Sequence, residues 1–205
     1  MIVTFFGSPG SGKGTQAELA AEAVGLAHVS TGGHFRREIR EDTALGREIR
    51  EVIEGGNLVP DRLVNRIVFD LLDGLPGVLL DGYPRNVFQA RSLDAFLEKQ
   101  GRRLDLAVFL DVPEAEAVGR LEGRKHCASC GAPASSTDET CGACGSGLVR
   151  RNDDDPAVIH RRFVEYHRQT RPLERYYHDR LVMVNGLGTV EQVHRRVLKA
   201  MEPWR

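Results

Sequence analysis

Apolar and polar residues follow one another along this chain in two rhythms. Short unbroken apolar runs occupy residues 2–6, 77–80, 106–110 and 181–184, with a weaker one at 27–29. Runs this short and continuous predict strands buried on both faces. Between them, residues 15–24, 45–54, 62–72, 87–100, 114–121, 157–178 and 190–201 set apolar side chains three and four apart, the spacing of one helix face. Strand alternating with amphipathic helix predicts an α/β fold with a parallel sheet, helices on both faces and ligands at the carboxyl ends of the strands. Asp61 after Pro60 and Glu114 after Pro113 mark helix starts, because proline presets the backbone there.

Two stretches break the rhythm. Residues 30–59 hold two short, charge-rich helical pieces and no strand, which reads as a helical insertion over the sheet edge. Residues 124–155 are poor in large apolar side chains and rich in Gly, Ser, Cys and Asp. Such a segment cannot build a hydrophobic core and needs a staple. There is no internal repeat, and the one low-complexity hint is the polar tract at residues 135–140.

Composition narrows the setting. A chain of 205 residues supports one core with inserted pieces, and its 28 basic and 29 acidic residues nearly cancel, so no global field favours nucleic acid. No apolar stretch is long enough for a bilayer span, and the first strand starts at residue 2 without a charged leader. A cytoplasmic protein with small-molecule partners, no nucleic acid and no membrane is expected.

The sharpest chemical signal is GSPGSGKGTQ at residues 7–16, directly after the first strand. A strand entering a glycine-rich turn and then a helix aims several backbone N–H groups at one spot, with the positive end of the helix dipole behind them. Gly10, Ser11, Gly12, Gly14 and Thr15 shape that cradle, and Lys13 reaches the phosphates of a bound polyphosphate. Gly14 departs from the usual motif, which places a Mg²⁺-binding hydroxyl there.

Cysteines supply the second signal. Cys127 and Cys130 form one Cys-x-x-Cys-Gly knuckle, and Cys141 and Cys144 form another after ten intervening residues. Four thiolates from two tight turns suit a closed, structural tetrahedral Zn²⁺ site, with iron or a redox-active dithiol pair as alternatives. His126 beside the first knuckle reads as a neighbour rather than a ligand.

Arginines form the third signal: Arg36, Arg85, Arg120, Arg124, Arg151 and Arg162 lie near motif positions. Guanidinium forks suit a site that gathers several phosphates and neutralises an in-line transfer. Arg85 closes Asp81-Gly82-Tyr83-Pro84-Arg85 after a buried strand, while Arg120 and Arg124 sit four apart at the root of the cysteine segment. Asp81 at a strand end can hold waters of a Mg²⁺ shell, or serve as an ordinary turn aspartate. Asp153 to Asp155 pair with arginines, organise metal waters, or simply start a helix.

Together these motifs resemble the adenylate kinase family, of the bacterial type with a zinc-binding cysteine lid. The likeness covers nearly the whole chain and adds Ser30-Thr-Gly32, Gly56-Asn-Leu-Val59, Gln89, Gly119-Arg-Leu-Glu-Gly-Arg124, Arg151-Asn-Asp-Asp154 and Tyr166-His167. It implies a P-loop NTPase-like three-layer α/β/α fold on a parallel five-stranded sheet, with a helical NMP-binding insertion and a small zinc-ribbon-like lid. The implied division is a core at 1–29, 60–123 and 156–205, the insertion at 30–59 and the lid at 124–155. The implied activity is reversible Mg²⁺-dependent transfer from ATP to AMP, giving ADP, by a monomer.

By the same resemblance, Gly10 to Thr15 hold the ATP phosphates, Arg120 and Arg124 flank ATP, and the backbone near Gly188 meets its adenine. Thr31, Arg36, Asn57, Leu58, Val59, Gly82, Tyr83, Pro84, Arg85 and Gln89 receive AMP, with Arg85, Arg151 and Arg162 bracketing the exchanged phosphates. Gln89 decides base choice, because its amide offers both a donor and an acceptor. Gly33 stands where the family commonly has an aspartate, which leaves more of the Mg²⁺ role to Asp81. Residues 131–140 lack the aromatic cover of longer lids, so selection of ATP over other triphosphates is expected to be loose. The rival readings are a UMP/CMP-type kinase, a nucleotide-gated zinc ribbon that binds nucleic acid or protein, and a redox-sensing ATPase.

Overall fold

Five parallel strands, in the spatial order Ala27–Ser30, Val78–Asp81, Ile2–Gly7, Leu106–Asp111 and Leu181–Asn185, carry the rest of the chain on their two faces. The computed structural model describes residues 1–134 and 136–204; the tract expected at 135–140 thus begins outside the described residues. The elements run β1 (Ile2–Gly7), α1 (Lys13–Val24), β2 (Ala27–Ser30), α2 (Thr31–Arg40), α3 (Ala44–Glu54), α4 (Asp61–Leu72), β3 (Val78–Asp81), α5 (Val87–Glu98), β4 (Leu106–Asp111) and α6 (Glu114–Glu122). Then follow β5 (Lys125–Cys127), β6 (Pro133–Ala134), β7 (Leu148–Arg150), α7 (Pro156–Glu165), α8 (Leu173–Tyr176), β8 (Leu181–Asn185) and α9 (Val190–Met201).

The continuous apolar runs are explained by what lies on each side of the sheet. Val3, Phe5, Leu79, Val108 and Leu110 face α1 and α9, where Ala17, Ala20, Val193, Val197 and Met201 are buried. Ile2, Phe6, Val78, Leu80, Ala107 and Phe109 face the other way, onto Val64 and Val68 of α4 and Leu93 and Leu97 of α5. Successive strand residues point to opposite faces, so both sets must be apolar. Each large side chain so buried contributes roughly 1.5–3 kcal/mol. Thr4 is the polar exception within β1, and its hydroxyl donates to the Tyr83 carbonyl at 2.6 Å.

The insertion folds as α2 and α3, two helical pieces without a strand. Residues 124–155 fold around a separate antiparallel three-stranded sheet, β6-β5-β7. The helix expected across 157–178 is instead three pieces: α7, a π-helical turn at Tyr166–Thr170, and α8. Pro172 has no N–H to continue the ladder, and Arg171 donates back to the Tyr166 carbonyl at 2.9 Å, widening the turn. The widened turn brings Thr170 within 2.8 Å of the Arg85 carbonyl, to which its hydroxyl donates. Apolar spacing alone could not reveal this break, because both flanking pieces keep one face on the core.

Candidate active site

The glycine-rich loop leaves the carboxyl end of β1 and turns into α1 with Gly10 at φ 80° and Gly12 at φ 86°. A Cβ at Gly10 would run into the Ala117 carbonyl of α6, so a positive φ and a close approach both require glycine there. No side chain caps α1. Its first-turn N–H groups are therefore left to an anion, the physical basis of a phosphate cradle. The buried hydroxyls of Ser8 and Ser11 have no hydrogen-bond partner among the described residues.

Lys13 folds back over the loop and donates to the Ser8 carbonyl at 3.2 Å. Burial drives its pKa down to about 7; Asp81 opposes this, and Arg85, Arg162 and Arg124 add to it. A Cβ at Gly14 would sit 3.3 Å from Asp81 Oδ2, so the glycine lets the carboxylate lie close against the start of α1. Asp81 ends β3 and accepts from the Ser30 hydroxyl at 2.7 Å. That hydroxyl also caps α2 by accepting from the Gly33 N–H at 3.1 Å.

Across from Lys13 the strand ends and the insertion enclose a cavity. Thr31, Arg36, Asn57, Leu58, Val59, Gly82, Pro84, Arg85, Gln89 and Arg162 all line it. Phe35 and Val64 add to its wall and carry no motif that marks them in advance, while Tyr166, from the Tyr166-His167 pair, lines it too. Tyr83 belongs elsewhere: its side chain is fully buried in the core and its hydroxyl donates to Asn65 Oδ1 at 2.7 Å, so it supports the turn from behind. Gln89 is also nearly closed off, at 1% exposed. Its Oε1 accepts from the Arg85 N–H at 2.7 Å and its Nε2 donates to Asp61 Oδ1 at 2.7 Å, so half of the amide's capacity is already spent inside the protein.

The arginines are held in different ways. Arg85 donates from Nε to the Gly82 carbonyl at 3.0 Å, and Thr170 accepts nothing from it but fixes its backbone carbonyl from the widened turn. Burial, then neighbouring arginines, push Arg85 down to about 10; burial followed by Arg36 and Arg124 pushes Arg151 to about 9. Both remain charged at neutral pH. Arg36 is lowered as well, by burial first. Nε of Arg151 is buried without a partner among the described residues. A cation set this crowded and desolvated is complementary to polyanions.

Arg124 and Arg162 share one counter-ion that the sequence left ambiguous. Asp154, with no exposed side-chain surface, accepts from Arg124 at 2.6 and 2.8 Å and from Arg162 Nη1 at 2.8 Å. Asp153 adds a 3.2 Å pair to Arg162, and Asp155 caps α7 by accepting from the Ala157 N–H at 2.9 Å. The acidic triplet thus both pairs with arginines and starts a helix. Arg120 lies apart from this group, bridging Glu116 at 2.9 Å to the Gly186 carbonyl at 3.1 Å. It joins α6 to the turn after β8, and Gly188 is exposed two residues further on, away from the enclosed cavity.

The four cysteines converge although they come from two separate turns. Their sulfurs lie 3.4 Å (Cys127 to Cys144), 3.6 Å (Cys144 to Cys130) and 3.7 Å (Cys130 to Cys141) apart. Those separations are far too long for disulfides and close to the edge of about 3.8 Å in a tetrahedron with 2.3 Å zinc–sulfur bonds. Gly131 at φ 76° and Gly145 at φ 72° close the matching knuckles. The donor set fits zinc, and His126 is not part of it.

A phosphate cradle with a poised lysine, facing an arginine-ringed pocket across the ends of a parallel sheet, defines a P-loop phosphotransferase that serves two nucleotides. Similarity to known proteins agrees with this class. The adenylate kinase family model matches residues 5–182. Curated proteins named adenylate kinase match along nearly the whole chain. That of Ruminiclostridium cellulolyticum is 38% identical over 98% of this chain and 99% of its own. That of Anaeromyxobacter dehalogenans is 41% identical over 94% and 95%. A third, from Thermoanaerobacter sp., is 40% identical over 98% of both. The chain belongs to the adenylate kinase family.

Proposed function

We propose that this enzyme transfers the terminal phosphoryl group of ATP to AMP, reversibly, giving two molecules of ADP. The observation that carries the proposal is the facing pair of half-sites, with Lys13, Arg36, Arg85 and Arg162 lining one cavity together with Thr31, Asn57 and Gln89. An AMP phosphate oxygen is already anionic at neutral pH, so no general base is needed. The obstacle is repulsion between two polyanions, which a buried set of cations offsets while holding an in-line approach. Donor phosphates would lie on the Gly10 to Thr15 cradle with Arg120 and Arg124 alongside. The acceptor would lie in the enclosed cavity, and Arg85, Arg151 and Arg162 would span the transferred group.

Asp81, beside Gly14 and Ser30, is the carboxylate suited to hold waters of the Mg²⁺ that accompanies ATP and neutralises phosphate charge. The cysteine cage supports a structural zinc that folds the lid and takes no part in the transfer. Asn152 Nδ2 donates to Glu54 Oε1 at 2.9 Å, tying the lid's exit to the insertion, and Arg161 Nε of α7 donates to the Gly55 carbonyl at 3.0 Å, tying the core to it. Closure of these two pieces over the substrates is how we expect water to be excluded. Because one chain supplies both half-sites, we take the enzyme to act as a monomer. Four unpaired thiols in a metal cage suit a reducing, cytoplasmic setting.

Initial rates with ATP and each of AMP, CMP, UMP and GMP test the acceptor. The expected result is an AMP kcat/KM at least ~30-fold above the 6-oxo and 4-oxo bases, from about 2 kcal/mol of mismatched hydrogen bonding. A preference for UMP or CMP would replace this reading with the pyrimidine kinase one.

A further inference from the structure

The amide of Gln89 is clamped from both ends, and each clamp can bond in only one sense. The Arg85 backbone N–H can only donate, so the group opposite it at 2.7 Å must be Oε1. The Asp61 carboxylate can only accept, so the group opposite Oδ1 at 2.7 Å must be Nε2. Asp61 is itself held, since Asn86 Nδ2 donates to the same Oδ1 at 2.9 Å. Asn86 in turn caps α5 by accepting from the Gln89 N–H at 2.8 Å. Asp61 is the first residue of α4, where an acid is favoured for helix electrostatics alone. That explanation does not account for a carboxylate reaching across to the side chain of another helix.

We infer that Asp61 is a positioning residue that fixes the orientation of the Gln89 amide and thereby makes the acceptor site select bases with an exocyclic amino group over their oxo counterparts. This rests on the reading of the enclosed cavity as the AMP site, which Gln89 lines. An amide has two lone pairs and two N–H groups, and the protein uses one of each. One acceptor and one donor remain, on the oxygen beside Arg85 and the nitrogen beside Asp61. Adenine offers the complement, an amino N–H and the ring N1 lone pair. Hypoxanthine and guanine present a carbonyl and a ring N–H, which demand a flipped amide. A flip would set Nε2 against the Arg85 N–H and Oε1 against the Asp61 carboxylate, two repulsive contacts in a buried place. The selectivity therefore resides in Asp61 and a backbone N–H as much as in Gln89.

Steady-state kinetics with AMP and IMP, which differ only at this edge, test the inference on wild-type enzyme, Asp61→Asn and Asp61→Ser. Asparagine keeps the shape and can donate to a flipped amide; serine removes the fixed acceptor while keeping a polar first turn. The expected result is an AMP-to-IMP ratio of kcat/KM that narrows by about tenfold in both variants, through KM for the acceptor, with KM for ATP unchanged. Loss of a merely structural residue would lower AMP and IMP alike. Equal falls for the two acceptors, or a ratio within twofold of wild type in whichever variant melts as a folded protein, overturn the inference. Wild-type enzyme that does not use AMP would instead overturn the acceptor reading itself.

Discussion

Replacing Asp154 by asparagine should expose how the lid and α7 are joined. The carboxylate is fully buried, takes a two-point contact from Arg124 at 2.6 and 2.8 Å, and a third contact from Arg162 at 2.8 Å. Asparagine keeps the volume but leaves two guanidinium groups near each other with Asp153 as the remaining counter-charge. Removing one partner of a buried pair typically costs 3–5 kcal/mol. Here the two arginines retain 23% and 19% of their side-chain exposure, and Asp153 still holds Arg162 at 3.2 Å, so water and a second carboxylate recover part of the loss. About 2 kcal/mol remains, or a fall in Tm of roughly 4–8 °C for a chain of this size. The assay is urea and thermal denaturation followed by circular dichroism. Glu116→Gln serves as the comparison, because it breaks a pair whose members are 28% and 49% exposed and should change stability by less than about 0.5 kcal/mol. An Asp154→Asn midpoint no lower than that of Glu116→Gln would refute the clamp.

Lys13 gives a pH prediction. With its pKa held near 7 by burial, it is about nine-tenths deprotonated at pH 8 in the free enzyme. Donor phosphates favour its charged form, so ATP binding at pH 8 should take up close to one proton and weaken as pH rises above 7. Calorimetric heats that do not vary with the buffer's ionisation enthalpy would contradict this. For the cysteine cage, native mass spectrometry should find about one zinc per chain. Its removal, or Cys141→Ser, should abolish protection of the β5 and β7 amides from exchange while the core strands stay protected. Equal protection of β5 and β7 with and without metal would argue against the staple. Thr170→Val removes the 2.8 Å bond to the Arg85 carbonyl, and should lower kcat several-fold with a stability loss of about 1 kcal/mol. An unchanged kcat would show that the widened turn does not position Arg85.

The five strands of the parallel sheet, most helices and the cysteine cage were legible in the sequence because each has a local cause: two-sided burial, one-sided burial, or paired knuckles. What stayed hidden depended on distant partners. The break after α7 is set by Pro172 together with a contact from Thr170 to a residue 85 positions away. Tyr83 sits inside a motif for ligand binding, yet its side chain belongs to the core, which spacing cannot distinguish. Asp154 was visible only as one of three adjacent acids, and its role comes from arginines on two other elements. Asp61 read as a helix start and nothing more, since its link to Gln89 bridges separate helices. Motifs pointed to residues that line the cavity, whereas the residues that hold them in register emerged only from tertiary geometry.

The central claim is tested most directly by giving the enzyme ADP alone with Mg²⁺ and following ³¹P NMR. The account predicts equal amounts of ATP and AMP approaching a fixed equilibrium, with the rate falling at least ~100-fold in Lys13→Ala and in Arg85→Ala. Release of inorganic phosphate without ATP, or undiminished turnover in both variants, would contradict it.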